Sequence, residues 1–110
     1  MGTLLQRMHW TRVREREQLR QTTLGALRQV LCDLYPSGAN VWVFGSLIRA
    51  EKFSENSDVD LAVESAPQGR SLFWLQGELE ARLGCAVDVL LLAETRLRSK
   101  IEREGEMWTL

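Results

Sequence analysis

The chain has 110 residues, which is the size of one domain. Its 14 basic and 15 acidic side chains give a formal net charge of -1, and 45% of its residues are hydrophobic. This composition excludes disordered, collagen-like and disulfide-scaffold proteins. No apolar run approaches the roughly 20 residues that a membrane span needs. We therefore expect one cytoplasmic domain over residues 1–110, with residues 1–10 frayed or joined to the first helix. Cys32 and Cys85 are expected to be reduced and buried.

The first half of the chain predicts a long helix, a buried strand and a short helix. From Thr11 to about Tyr35, leucines at positions 24, 27, 31 and 34 recur at helical spacing, and Pro36-Ser37-Gly38 ends the pattern. The apolar, β-branched and aromatic run from Ala39 to Phe44 predicts a strand. Gly45-Ser46 then opens a short helix over Leu47 to Glu51.

The second half predicts two strands, each followed by a helix. Strict alternation from Asp58 to Val63 and an apolar run from Ala86 to Leu92 predict the strands. Between them, a leucine stripe from Leu72 to Leu83 predicts a helix capped by Ser71 and Gly84. The last helix is expected over Thr95 to Glu104, with Leu97 and Ile101 facing inward, before an apolar tail. This order indicates an α/β (α+β) domain, a small three-stranded mixed sheet with helices mainly on one face.

Two carboxylates share one face of the second predicted strand. Asp58 and Asp60 are two residues apart, so their Cα atoms are about 7 Å apart and their side chains point the same way. Asp88 interrupts the third strand and comes beside them if the two strands pair in register. Carboxylates this close repel one another unless a cation lies between them. Since Mg²⁺ binds few carboxylates together with waters and phosphates, the pattern predicts a metal site for phosphoryl or nucleotidyl transfer.

A Gly-Ser turn upstream strengthens this prediction, because Asp-x-Asp alone also occurs by chance and in turns. Gly45 lets the backbone come close to a ligand, and the helix start that follows presents N–H groups suited to phosphate. Ser46 can add a hydroxyl donor. Asp88 has its own alternatives, a turn cap or an ion pair with an arginine, but its place inside an apolar run argues against a cap. Together these residues describe a site for a nucleoside triphosphate and its metal.

The stretch from Gly45 to Glu51, followed by Ser57-Asp58-Val59-Asp60-Leu61-Ala62-Val63, resembles the signature of the polymerase-β-like nucleotidyltransferases. Within that superfamily it is most similar to the minimal nucleotidyltransferases (MNT). Eleven residues separate Ser46 from Asp58, as in the family pattern, whereas Ala50 replaces a glycine that often follows the arginine. The resemblance covers about residues 24–104 and implies a polymerase-β-like nucleotidyltransferase core.

The resemblance implies a role for each matching residue. Gly45 and Ser46 would hold the triphosphate of ATP, and Asp58 and Asp60 would ligate Mg²⁺. Asp88 would complete the metal site and act as the base for the attacking hydroxyl. Arg49 would contact phosphate or a partner, and a surface ion pair with Glu51 is the alternative.

The resemblance also implies a partner. MNT proteins are typically antitoxins of bacterial or archaeal pairs in which the toxin is a HEPN-domain ribonuclease, and family members transfer AMP from ATP to a tyrosine of the toxin. A chain of 110 residues has little room for an acceptor domain, so we expect a separate protein acceptor and a hetero-oligomer. Two alternatives stay open: neutralisation by binding alone, with little or no catalysis, and nucleotide addition to RNA.

Residues outside these motifs suggest little chemistry. The six arginines of residues 1–30 are more typical of a solvated helix face than of a nucleic-acid patch, so direct nucleic-acid binding is not expected. The single histidine, His9, is not expected to take part in chemistry. Four aromatic residues are assigned by their surroundings: Trp42 and Phe44 belong to the core, and Trp74 and Trp108 to the core or a contact, with Trp108 the better candidate for a partner contact.

Overall fold

The computed structural model describes residues 2–110, which form three α-helices and a four-stranded mixed sheet. In chain order the elements are α1 (Leu4–Leu34), β1 (Asn40–Phe44), a 3₁₀ turn (Gly45–Ile48), β2 (Val59–Val63), α2 (Leu72–Leu83), β3 (Val87–Leu91), α3 (Arg98–Glu104) and β4 (Glu106–Thr109). The predicted α+β class is confirmed. The prediction of three strands is wrong, because the apolar tail forms a fourth.

The strand order is β3-β2-β1-β4, with β2 and β3 parallel and β1 antiparallel to both of its neighbours. Alternate residues of β1 face opposite sides of the sheet. Val41 and Val43 are fully buried in the main core, which packs against α1 and α2. Trp42 and Phe44 point to the other face, where they pack on a smaller cluster with Ile101 of α3. This second face carries the predicted carboxylates.

The fourth strand pairs with β1, placing Trp108 opposite Val41. Trp108 is 4% exposed, its indole N–H donates to Glu106, and the Arg28 guanidinium lies 4.4 Å over its ring. The prediction that Trp108 contacts a partner is therefore wrong. A four-residue edge strand gives almost no periodic signal, and its formation depends on the partner strand that the fold places beside it.

The first helix begins at Leu4, so residues 4–10 join it. Thr3 accepts a hydrogen bond from the Gln6 N–H, and the Gln6 side chain accepts one from the Thr3 N–H. This reciprocal pair satisfies N–H groups that the helix itself leaves without partners. The predicted caps of α2 are confirmed, because Ser71 accepts from the Trp74 N–H and Gly84 adopts the left-handed conformation.

Several boundaries and burials differ from the predictions. The 3₁₀ turn replaces the short helix expected over residues 47–51, and α3 begins only at Arg98, since Thr95 accepts from the Leu97 N–H in a preceding turn. Leu97 is consequently 45% exposed rather than inward. Cys32 is exposed and not buried, because it follows the core residue Leu31 by a 100° rotation of the helix. Among the described helices, none has the length and apolarity of a membrane span.

Candidate active site

The turn that leaves β1 brings the backbone against a carboxylate. Gly45 has a φ of +76°, a left-handed conformation that costs glycine little. A Cβ on this residue would overlap the carboxylate of Asp60. The chain then winds into the 3₁₀ turn, where the Arg49 N–H donates to the Ser46 carbonyl. Glycine is therefore favoured at this position, because the left-handed backbone would strain another residue and its Cβ would have to displace the Asp60 side chain.

Two aspartates lie near the first residues of β2 and β3. Asp60 pairs with Phe44 of β1 on one side and, in the parallel register, with Asp88 of β3 on the other. Register partners point to the same face of a sheet, so the side chains of Asp60 and Asp88 are neighbours. Burial, followed by the charges of Asp88 and Asp58, raises the pKa of Asp60 to about 6. Negative charge is concentrated here, with the partly buried Asp60 at its centre.

A pocket of about 280 Å³ opens beside these carboxylates, between the sheet and α3. Its apolar walls are formed by Phe44, Ile48, Leu90, Leu97 and Ile101. Its other lining residues are Gly45, Arg49, Asp60, Asp88, Lys100 and Glu104. An apolar wall suits a base, and cationic side chains suit phosphate. The pocket thus has the chemical composition of a small nucleotide site.

Comparison with known families decides the assignment. A model of the nucleotidyltransferase domain matches residues 24–107. The chain belongs to the nucleotidyltransferase family. A solved structure assigned as a minimal nucleotidyltransferase is 36% identical to it, with a TM-score of 0.55, over 82% of this chain and 92% of that chain. Among curated proteins, none has a matching sequence.

The fold of this nucleotidyltransferase brings four of the predicted site residues to one pocket: Gly45, Arg49, Asp60 and Asp88. Ser46 and Asp58 do not line it. Asp58 is exposed just before β2, where its charge still acts on Asp60. Ser46 lies in the 3₁₀ turn directly after the pocket residue Gly45. Both therefore border the pocket rather than form its wall, and their chemical roles stay predictions.

Arg49 is exposed and faces the pocket. Among residues 2–110, no ion pair within 4.0 Å involves it. Its alternative partner Glu51 instead donates its backbone N–H to the Glu17 carboxylate. The alternative ion pair between Arg49 and Glu51 is therefore not formed among the described residues, and a role of Arg49 toward phosphate stays a prediction.

The sequence prediction missed the contribution of α3 to the site. Lys100 and Glu104 lie one helical turn apart and both line the pocket, together with the partly exposed Leu97. Spacing alone indicates that these three residues share one face of a helix. Spacing does not indicate which surface that face covers, because tertiary packing decides it. In the structure, α3 packs on the side of the sheet opposite α1 and α2. Lys100 supplies the second cation of the pocket.

The donor chemistry of the site is that of a hard cation. Asp60 and Asp88 offer neighbouring carboxylate oxygens, and their mutual repulsion is part of what raises the pKa of Asp60. Within residues 2–110, no three His, Cys, Asp or Glu side chains converge into a preformed metal centre. Mg²⁺ does not require one, because it is bound through one or two carboxylates plus waters and substrate phosphates. The residues present therefore fit this ion.

Proposed function

We propose that this nucleotidyltransferase transfers AMP from ATP to a tyrosine hydroxyl of a HEPN-domain ribonuclease toxin, and thereby acts as its antitoxin. The observation that carries the proposal is the in-register pair Asp60 and Asp88 beside the glycine turn. The family match supports nucleotidyl transfer. The protein acceptor rests on the likeness to minimal nucleotidyltransferases together with the exposure of Asp88, which an incoming macromolecule can reach.

Different side chains of the pocket have different roles in the proposed reaction. Arg49 and Lys100 attract the triphosphate, and the apolar residues opposite receive the base. The tyrosine oxygen bonds to the α-phosphorus as the bond from that phosphorus to the diphosphate oxygen breaks. The tyrosine proton passes to the Asp88 carboxylate, and diphosphate leaves. Mg²⁺ held by Asp60 and Asp88, with Asp58 nearby, would offset the charge of the phosphates.

The decisive experiment follows the label from two forms of ATP. The chain is incubated with Mg²⁺ and a purified HEPN-domain ribonuclease, using ATP labelled at either the α- or the γ-phosphorus. AMP transfer labels the acceptor only from α-labelled ATP, and replacing the acceptor tyrosine by Phe abolishes the signal. Labelling from γ-labelled ATP would instead reveal phosphoryl transfer and contradict the proposal.

Variants of the pocket carboxylates provide a second test of the proposal. Asp60→Asn and Asp88→Asn are each expected to lower the labelling rate by roughly a hundredfold or more. The matched control is Asp33→Asn, since Asp33 is an exposed carboxylate on α1 that lies 3.9 Å from Arg82. Circular dichroism verifies that every variant is folded.

Two results would replace this proposal with an alternative. If the double variant Asp60→Asn/Asp88→Asn still silences the ribonuclease and no label reaches it, the chain neutralises its partner by binding alone. If label reaches a tRNA or another RNA but no protein, the acceptor is a nucleic acid. Toxin ribonuclease activity and labelled RNA are therefore measured in the same series.

A further inference from the structure

The first part of α1 projects from the body of the enzyme. Residues 4–16, called the arm below, are all exposed except the partly buried Val13. The bonds that tie the helix to the body begin after the arm, where Glu17 accepts from the Glu51 N–H and Arg20 donates to the Leu47 carbonyl. At 1.5 Å per residue the arm is about 20 Å long.

The arm precedes the part of the chain that the family model matches, which begins at residue 24. Its helix is nevertheless preformed. The Thr3 and Gln6 side chains cap it, and the Thr11 hydroxyl donates to the Arg7 carbonyl. An isolated helix of this length is marginal in water, but the packed remainder of α1 provides the nucleus that it would lack. The arm is therefore a rigid surface with no role in the core.

The surface of the arm combines large apolar side chains with arginines. Leu4 is 68% exposed, Leu5 77%, Met8 44% and Trp10 61%. Leu4 and Met8 stack at i and i+4, whereas Trp10 lies on the opposite side of the helix. The arm also carries four arginines against a single glutamate, Glu15: Arg7 lies among the apolar residues, and Arg12, Arg14 and Arg16 follow them.

We propose that the arm docks the acceptor protein by inserting into an acidic groove with an apolar floor. The charge of the arm requires an acidic counterpart, and its exposed apolar side chains require a surface that removes them from water. That the docked protein is the acceptor of AMP rests on the function proposed above. The arm itself is inferred from exposure, charge and composition.

The composition of the arm favours a protein over other occupants. It contains Arg, Met and Trp but no Lys, which is the bias of protein interfaces. RNA would pair with the arginines but leave the leucines in water. A membrane surface selects a helix with one apolar face, whereas Met8 and Trp10 face opposite ways. Two copies of the arm would bring arginines against arginines, which disfavours pairing with itself.

The position of the arm is set by the contacts of α1 with the turn after β1. The arm leaves the body beside the segment from Leu47 to Glu51, which directly follows the pocket residue Gly45. This segment follows Phe44, the register partner of Asp60, so the arm begins near the end of β1 beside which Asp60 lies. Because α1 packs on the face of the sheet opposite the pocket, a protein held by the arm must also extend around this end of the sheet to reach the carboxylates.

The test compares binding of the full-length chain and its variants to the HEPN-domain protein by calorimetry. The variants are Trp10→Ala, Leu4→Gln/Met8→Gln and Arg12→Glu/Arg14→Glu. Each is expected to weaken binding at least tenfold, while thermal unfolding and ATP binding stay unchanged. The control is Phe73→Gln, because Phe73 on α2 is 86% exposed and lies outside the arm. It should bind like the wild type.

The outcomes separate this inference from the proposed function. Arm variants that bind the HEPN protein as tightly as the wild type overturn the inference even if AMP is transferred. Arm-dependent binding without any transfer supports the docking role and refutes the reaction. Arm-dependent association with anionic vesicles, with RNA or with a second copy of the chain, without arm-dependent binding of the HEPN protein, would overturn the proposed occupant.

Discussion

At the scale of single residues, the site depends on close approach of backbone and charge. Gly45 turns against Asp60, and Asp60 lies beside Asp88, so the backbone of the turn and the two carboxylates meet at one partly buried point. The turn after β1 positions Gly45, while β2 and β3 position the aspartates. Substitution of any one of them should therefore affect ligand binding at the pocket.

Gly45→Ala tests the close approach of the Gly45 backbone to the Asp60 carboxylate. A left-handed residue other than glycine costs about 1–2 kcal/mol, and the new Cβ must also displace the Asp60 carboxylate. We expect a loss of stability in urea unfolding together with weaker ATP binding. Gly69→Ala is the control, since Gly69 has a φ of +78° and no neighbour within 4 Å. It should lose stability but keep ATP affinity. Equal ATP affinity in both variants would contradict the prediction.

The pH dependence of the free energy of unfolding tests the unfavourable burial of the Asp60 charge. The pKa of Asp60 rises from an ordinary 3.8 to about 6, so the folded protein holds this proton more tightly than the unfolded chain does. The associated stability is present below about pH 4 and is lost as the pH rises to about 6. Asp60→Asn should therefore gain stability relative to the wild type between pH 4 and pH 7.5. Urea unfolding at the two pH values measures the gain, and a pH-independent difference would count against it.

Lys100 tests the part of the site that the sequence did not indicate. A hydrogen bond to a charged group is worth about 1.5–3 kcal/mol, so Lys100→Ala should weaken ATP binding about tenfold or more. Lys52→Ala is the control, because Lys52 is exposed and does not line the pocket. Calorimetry without an acceptor gives the affinities. Unchanged affinity in Lys100→Ala would remove Lys100 from the nucleotide site.

At the scale of elements, β4 and α3 complete the sheet and its second face. β4 covers one edge of β1 and brings Trp108 into the main core, while α3 places Ile101 on the opposite face beside the pocket. These two short elements are adjacent in the chain and act on different sides of the sheet. The pocket wall therefore depends on residues 98–104, whereas the stability of the edge depends on residues 106–109.

Trp108→Ala measures the contribution of β4. Truncation of a buried tryptophan typically costs about 3–5 kcal/mol, and Trp108 is 4% exposed. Trp10→Ala, at 61% exposure on the arm, should change the free energy of unfolding by less than about 0.5 kcal/mol. Denaturant unfolding compares the two substitutions. A small effect at Trp108 would show that β4 contributes little to the core.

At the scale of the whole molecule, the arm sets the shape. The chain measures 55 × 28 × 21 Å, and its radius of gyration of 15.6 Å exceeds the roughly 13 Å typical of a compact domain of this length. The long axis follows α1, which extends beyond the body. The molecule therefore combines a compact catalytic body with one projecting helix.

Hydrogen exchange should divide α1 into these two parts. Residues 4–16 are mostly exposed, and only their last turns approach the loop at residues 54–56, so their amides are expected to exchange much faster than those of residues 24–34, where Leu27 and Leu31 are fully buried. Addition of the HEPN-domain protein should slow exchange in the arm selectively. Uniform protection along α1 in the free chain would contradict this division.

Local sequence patterns were enough to predict the mixed α+β class, the approximate positions of the helices and of three of the four strands, and the carboxylate motif. Each of these is written in local patterns: alternation at Asp58–Val63, the leucine stripe of α2 with its caps, and the spacing of Gly45, Ser46 and the aspartates. The fourth strand, the burial of Trp108, the presence of Lys100 in the pocket and the exposure of the arm emerge only from tertiary packing. Those features depend on which elements pack together. Strand pairing and the burial of a helix face are contacts between residues distant in the chain, which no local periodicity records.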